Sequence, residues 1–162
     1  MHSKIIQISS KPIDKDNYKS SEDFYESHYD WADYIGDEVT DEQERHDCIK
    51  RVASLLDGVF KLNCDDTLTY LGDDALRKFL TEWTDELRRL TGSLTADNIL
   101  RNQNLWKVRH CCTDTHKGTS YRFYIEEWNG CADPFEDMID FASSQLKAGD
   151  RIYIGAIIDY CY

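Results

Sequence analysis

Two sets of residues in this chain have types and spacings that could do chemistry. The first is His110-Cys111-Cys112 with Asp114 and His116. A thiol, an imidazole and a carboxylate are the parts of a cysteine nucleophile, its base and its orienting acid. Six cysteines and five histidines in the whole chain also raise metal ligation. Zinc sites favour close pairs such as CxxC or HxxxH, and no CxxC is present. We read 105–112 and 120–128 as a hairpin. Adjacent cysteines on a strand then point to opposite faces, which disfavours a shared tetrahedral ion. A hairpin also lacks the electropositive niche of a reactive thiol, and no glycine-rich or oxyanion-forming pattern surrounds the cluster. No GxGxxG or GxxxxGK[ST] loop occurs to cradle a phosphate. We therefore expect no metal and no cofactor. A small enzyme using His110, Cys111, Cys112, Asp114 and His116 is the alternative reading.

The second set is acidic. Glu22, Glu26, Asp30, Asp33 and Asp37 are four, four, three and four residues apart. On a helix these carboxylates form one stripe, recurring every ~5–6 Å. Phe24, His28, Trp31 and Ile35 step at helical spacing and would hold that helix down, with Gly36 ending it. Tyr25, Tyr29 and Tyr34 would lie near the acids, where tyrosine makes a good interface anchor. Like charges at such spacing cost a few tenths of a kcal/mol per pair, which argues for a use. The candidate partner-binding residues are therefore Glu22, Tyr25, Glu26, Tyr29, Asp30, Asp33 and Asp37. The adjacent acids Asp65-Asp66 and Asp73-Asp74 suit a turn and a helix start, and Glu126-Glu127 is chemically interesting only if it lines a cleft.

Charge strengthens the second set. The 162 residues carry 31 acidic and 19 basic side chains, a net charge of -12. Between Asp14 and Asp47 there are 13 acidic residues against 3 basic, a local net of -10. A field of that sign repels nucleic-acid phosphates and anionic membrane, and attracts basic proteins. No apolar run approaches the ~20 residues that span a bilayer. The first residues lack the ordered regions of a signal peptide. With no export signal, Cys48, Cys64, Cys111, Cys112, Cys131 and Cys161 are expected as reduced thiols in the cytoplasm.

The elements that must position these groups follow from periodicity. Lys4–Ser9 is a strand by its β-branched content. After the helix over 20–35, a second helix is expected from Asp41 to Leu56, capped by Thr40 with Gln43 completing the capping box. Phe60–Leu62 and Thr67–Leu71 flank an Asx-rich turn and form a hairpin. A helix over Asp73–Thr91 is followed by a short one from Thr95. Ser120–Ile125 alternates like a strand. Pro134 sits in the first turn of a helix running to about Lys147. Arg151–Tyr160, the most apolar strand, belongs at the centre of the sheet. The whole of 1–162 is expected to be a single α+β domain, with a mostly antiparallel sheet of about five or six strands and helices packed on one face.

The opening Lys4-Ile5-Ile6-Gln7-Ile8-Ser9 and the closing Tyr153-Ile154-Gly155-Ala156-Ile157-Ile158-Asp159-Tyr160 resemble the two ends of a group of small, acidic, uncharacterised bacterial proteins. That resemblance implies a bacterial setting and no activity. Our functional expectation rests on charge instead. It is a non-enzymatic cytoplasmic interaction protein whose acidic face meets a basic protein, in the sharpest version as a nucleic-acid mimic or inhibitor.

Overall fold

The computed structural model describes residues 2–25, 32–101, 105–113, 121–128, 130–134 and 136–161. It is an α+β fold with a mostly antiparallel sheet of seven strands. The strands are β1 (His2–Ser9), β2 (Tyr34–Glu38), β3 (Phe60–Leu62), β4 (Leu68–Tyr70), β5 (Arg122–Ile125), β6 (Gly130–Pro134) and β7 (Arg151–Cys161). The helices are α1 (Ser21–Tyr25), α2 (Glu42–Leu55), α3 (Asp73–Gly92), α4 (Ala96–Leu100), α5 (Leu105–Thr113) and α6 (Glu136–Gln145). Along the sheet the order is β3-β4-β7-β1-β5-β6, and β2 pairs with β7. Among the described strand pairings, only β1–β5 is parallel. No helix is long and apolar enough to cross a membrane among the described residues.

Hydrophobicity puts β7 where the sequence expected it. Ile154, Ala156, Ile157 and Ile158 are buried, and β7 takes β1 on one side and both β2 and β4 on the other. A strand apolar on successive residues can bury both faces only in the middle of a sheet. One face carries the main core, where Ile6, Ile8, Phe123 and Ile152 meet α2, α3 and α6 through Ile49, Leu76 and Phe141. The other face carries a smaller core of Ile5, Phe24, Ile35, Tyr124, Ala156, Ile158 and Tyr160. The ring of Phe24 from α1 meets Tyr124 edge-on at 5.7 Å.

A bulge joins the two cores. Ile6 pairs with Ile157 while Ile8 pairs with Ile154, so Gly155 and Ala156 together oppose Gln7. The extra residue reverses the alternation of β7. Ile152 and Ile154 face the main core, and after the bulge Ala156, Ile158 and Tyr160 face the smaller one. The Gln7 side chain is 1% exposed and fully bonded. Its Oε1 accepts from the amides of Ala156 at 2.8 Å and Lys19 at 3.1 Å. Its Nε2 donates to the Asn17 carbonyl at 3.0 Å and to Glu126 Oε1 at 2.6 Å. The carboxamide lies where a side chain at 155 would be, so glycine is required there for space.

Several expectations are corrected. The helix expected over 20–35 does not reach its expected end: α1 is described over Ser21–Tyr25, residues 26–31 lie outside the described part, and Tyr34–Glu38 is a strand with Gly36 inside it. Gly36 approaches Asp159 of β7, whose Cβ would touch any side chain at 36. Pairing with β7 thus overrides the helical spacing at Ile35. The α2 cap is Asp41, whose carboxylate accepts from the Glu44 amide at 2.8 Å, not Thr40. The hairpin of 105–112 with 120–128 does not form; Leu105–Thr113 is helical and β5 pairs with β6 instead. Pro134 ends β6, an edge strand that tolerates a missing amide hydrogen, and α6 begins at Glu136. The β3–β4 hairpin forms as expected. Its turn holds Asp66 at φ 58°, the Asp65 carboxylate accepting from Thr67, and Asn63 Nδ2 donating to the hydroxyls of Thr67 and Thr69.

Glu127 ties the end of β1 to the 3-10 turn after β5. It accepts from the hydroxyls of Ser9 and Ser10 and from the Ser10 amide, at 2.6–2.9 Å. Burial pushes its pKa up, but these hydrogen bonds, those from Ser10 foremost, outweigh it and hold the carboxyl below its usual value of 4.5.

Two predictions follow the bulge and its neighbour. Gly155→Ala should destabilise the fold by about 2–4 kcal/mol, combining overpacking with the loss of buried hydrogen bonds. In urea unfolding that penalty should shrink when Gln7→Ala is also present; additive effects would contradict the steric account. A carboxyl with a depressed folded-state pKa contributes stability above its unfolded pKa and loses it as pH falls through the folded value. Glu127→Gln should therefore lower the melting temperature at neutral pH and flatten the fall in stability below about pH 4.5. An acid limb as steep as the parent's would rule Glu127 out as its source.

Candidate partner-binding face

Residues 14–47 wrap from the smaller core to the start of α2. They pass through a 3-10 turn at Lys15–Asn17, α1, β2 and the first turns of α2. Of the 13 acidic residues in this segment, 11 are described, and all 11 are exposed. They are Asp14, Asp16, Glu22, Asp23, Asp33, Asp37, Glu38, Asp41, Glu42, Glu44 and Asp47. Glu26 and Asp30 lie outside the described residues, as does Tyr29. Tyr25 is the last residue of α1, and its side chain is outside the described part.

The local fold changes how the acids are arranged. Glu22 stands on α1, Asp33 at the bend before β2, and Asp37 on β2. A single helical stripe through all five acids is therefore not what the chain builds. From Asp33 to Asp37 the backbone is largely extended, with a rise of about 3.3 Å per residue. These two carboxylates are spread farther apart than one helical turn would set them. The side chains of Glu22, Asp33 and Asp37 make no hydrogen bond or ion pair to another described residue, so their charge is left to solvent. Tyr34 is 56% exposed beside them.

The segment's basic residues are used differently. Lys19 is half-buried with its ammonium 5.0 Å above the Tyr124 ring. Arg45 reaches inward from α2. Its two terminal nitrogens donate to the carbonyls of Gly155 at 2.6 Å and Ile154 at 2.7 Å, and its guanidinium lies over the Tyr18 ring at 5.5 Å. Along this side β7 has β4 at 151–152 and β2 from 158 onward, leaving a gap between them. Arg45 satisfies main-chain acceptors there in place of a neighbouring strand. Of the three, only Lys15 is exposed. Outside the segment, Lys4 sits 2.8 Å from both Glu44 and Asp159, with 14% of its side chain exposed. Burial works against its charge, and the two carboxylates more than restore it.

The gap opens into a cavity of about 410 Å³ lined by Lys15, Tyr18, Glu38, Thr40, Glu42 and Arg45 among others. At its α2 side, His46 Nδ1 lies 2.6 Å from Asp66 Oδ1, linking α2 to the β3–β4 turn. Sequence reasoning passed over Gln7, Tyr18 and Arg45. A signal for Gln7 was its place as a polar residue among three isoleucines of a strand. For Arg45 it was a cation on a helix start whose neighbours are nearly all acids.

The thiol cluster is placed differently from its expectation. His110, Cys111 and Cys112 all lie toward the C-terminal end of α5, whereas Asp114 and His116 lie outside the described residues. Successive residues on a helix are ~100° apart around its axis, so Cys111 and Cys112 do not occupy opposite faces of a strand. The end of a helix nearest its last carbonyls carries the negative pole of its dipole. That is the reverse of the environment that favours a thiolate. The Cys111 carbonyl accepts from Trp83 Nε1 at 3.1 Å, joining α5 to α3. The side chains of His110 and Cys112 are outside the described part. Cys48, Cys64, Cys111 and Cys161 are free thiols. Among the described residues no group of three or more His, Cys, Asp or Glu is placed to hold a metal ion. The paired acids have structural partners: Glu126 and Glu127 at the end of β1, Asp65 with Thr67, and Asp73 accepting from the Tyr70 hydroxyl at 2.9 Å.

Comparison with protein-family models, with curated proteins and with solved structures returned no match.

Arg45→Ala should leave the Ile154 and Gly155 carbonyls without their donor and lower stability by about 1–3 kcal/mol. Arg45→Lys should recover only part of this, because one ammonium cannot reproduce the planar two-point contact. Equal stability of parent and alanine variant in urea would remove Arg45 from this role.

Proposed function

We propose that the 14–47 face is a docking surface for a basic protein, and that this protein works by binding rather than by catalysis. One observation carries the reading: every described acid of the segment is exposed, while two of its three cations are drawn into internal contacts. The folded surface is therefore more uniformly negative than the sequence count alone requires. Such a field speeds encounter with a positive partner and suppresses binding to nucleic acid or anionic lipid. Glu22, Asp33 and Asp37 supply unpaired charge, and Tyr34 an exposed aromatic body suited to an interface. The sharp version is an inhibitor that occupies the phosphate-binding surface of a nucleic-acid-binding protein. We place it in a reducing cytoplasm of a bacterial host, a reading in keeping with the free thiols.

The test is affinity capture from host lysate at low and moderate salt, comparing the parent with the triple variant Glu22→Lys, Asp33→Lys, Asp37→Lys. The parent should recover a basic protein whose yield falls as salt rises. The variant should lose it while keeping an urea midpoint close to the parent's, because none of the three side chains bonds within the described fold. Equal recovery by both proteins would defeat the reading.

A further inference from the structure

At one end of the β1–β7 ladder, His2 stands directly opposite Cys161. Directly opposite residues share a face of the sheet, with Cβ atoms about 4.5–5.5 Å apart. The ladder itself therefore brings an imidazole to a thiol. Cys161 Sγ lies 3.3 Å from His2 Nδ1 and 3.7 Å from Nε2. His2 is exposed and Cys161 half-buried, so the sulfur has a path to solvent. The other described cysteines are placed differently. Cys48 is buried, and burial pushes its thiol up. Cys64 is exposed beside Asp65 and Asp66, and Cys111 lies in the last turns of α5. Among the described residues none of these three has an imidazole hydrogen-bonded to it.

The groups around the pair leave His2 as the base. On the same face, Lys4 of β1 and Asp159 of β7 are the next opposed pair. Lys4 lies 2.8 Å from Asp159 and 2.8 Å from Glu44 of α2, so its charge is taken up. From the β2 side come Tyr34, opposite Cys161, and Asp33, whose amide donates to the Cys161 carbonyl. A thiol with a base in hydrogen-bond reach is the arrangement of an activated sulfur nucleophile. We propose that Cys161 is a thiol–disulfide exchange site, with His2 as its base and a low-molecular-weight disulfide as its co-reactant. The proton passes from Sγ to the imidazole, and the thiolate attacks one sulfur of the small disulfide. That S–S bond breaks as Sγ bonds one half. The other half leaves as a thiolate and takes the proton back from the imidazolium. Cys161 is thereby oxidised to a mixed disulfide and the departing half is reduced to a thiol. Charge on the 14–47 face plays no part in this step.

The probe is glutathione disulfide, with mass spectrometry of peptides to follow each cysteine of the full chain. At about pH 7 the mixed disulfide should form at Cys161 at least about ten-fold faster than at Cys64, which is more exposed but has no base. His2→Gln keeps a polar side chain but cannot take the proton. It should slow Cys161 at least about ten-fold at that pH and leave Cys64 unchanged. Above about pH 9, where a free thiol ionises without help, variant and parent should converge. Exchange at Cys161 no faster than at Cys64, or a rate untouched by His2→Gln near neutral pH, would overturn the proposal. Slowing of the same size at both pH values would make His2 a packing residue and overturn its role as base.

Discussion

The Gln7 carboxamide is the contact on which most of this structure turns. It fills the space that a side chain at 155 would need, and it bonds four groups from three parts of the chain. A buried amide of this kind is costly unless every donor and acceptor is met. Meeting them fixes the 3-10 turn at Asn17, the backbone at Lys19, the turn after β5 at Glu126, and β7 at Ala156. The bulge opposite Gln7 then reverses the alternation of β7. A single strand can thus contribute isoleucines to the main core before it and to the smaller core after it. Without that reversal, Ile158 and Tyr160 would face the main core, and the sheet face beneath α1 would lose two of its buried residues.

The acidic surface depends on the same arrangement. Residues 14–20 lie on the smaller core because Gln7 holds Asn17 and Lys19 there, and Tyr18 packs at its margin. The guanidinium of Arg45 then lies over Tyr18 and bonds the β7 carbonyls beside the gap. Internal structure thereby takes up the positive charge that would otherwise dilute the face. The link between core and surface is electrostatic: cations are held where they meet carbonyls and ring faces, and carboxylates are left where water solvates them. The net charge of -12 is a property of composition, but its one-sidedness over this segment comes from where Lys19 and Arg45 point.

The thiol cluster shows how strongly an element assignment controls a chemical argument. Read as a hairpin, Cys111 and Cys112 diverge across a strand; as part of α5 they sit in a helix's last turns. Residues 105–113 mix apolar, basic and β-branched types without clear periodicity, so local pattern could not choose. Packing of α5 on α3, seen in the Trp83 bond to the Cys111 carbonyl, decided it.

The sequence by itself determined the α+β class, the central β7, the β3–β4 hairpin with its Asx turn, the apolar stripes of α2, α3 and α6, and the concentration of acid in 14–47. These are read from nearest neighbours and short periods, where side-chain pattern and local hydrogen bonding act without help from distant residues. Tertiary structure alone decided that Tyr34–Glu38 is a strand, that a bulge faces Gln7, and that Arg45 stands in for a missing strand. In each case the deciding partner is far along the chain: Asp159 against Gly36, Gly155 against Gln7, the Ile154 and Gly155 carbonyls against Arg45. A helical spacing of aromatics competes with strand pairing only through modest local propensities. The buried hydrogen bonds and close backbone approach along β7 outweigh them.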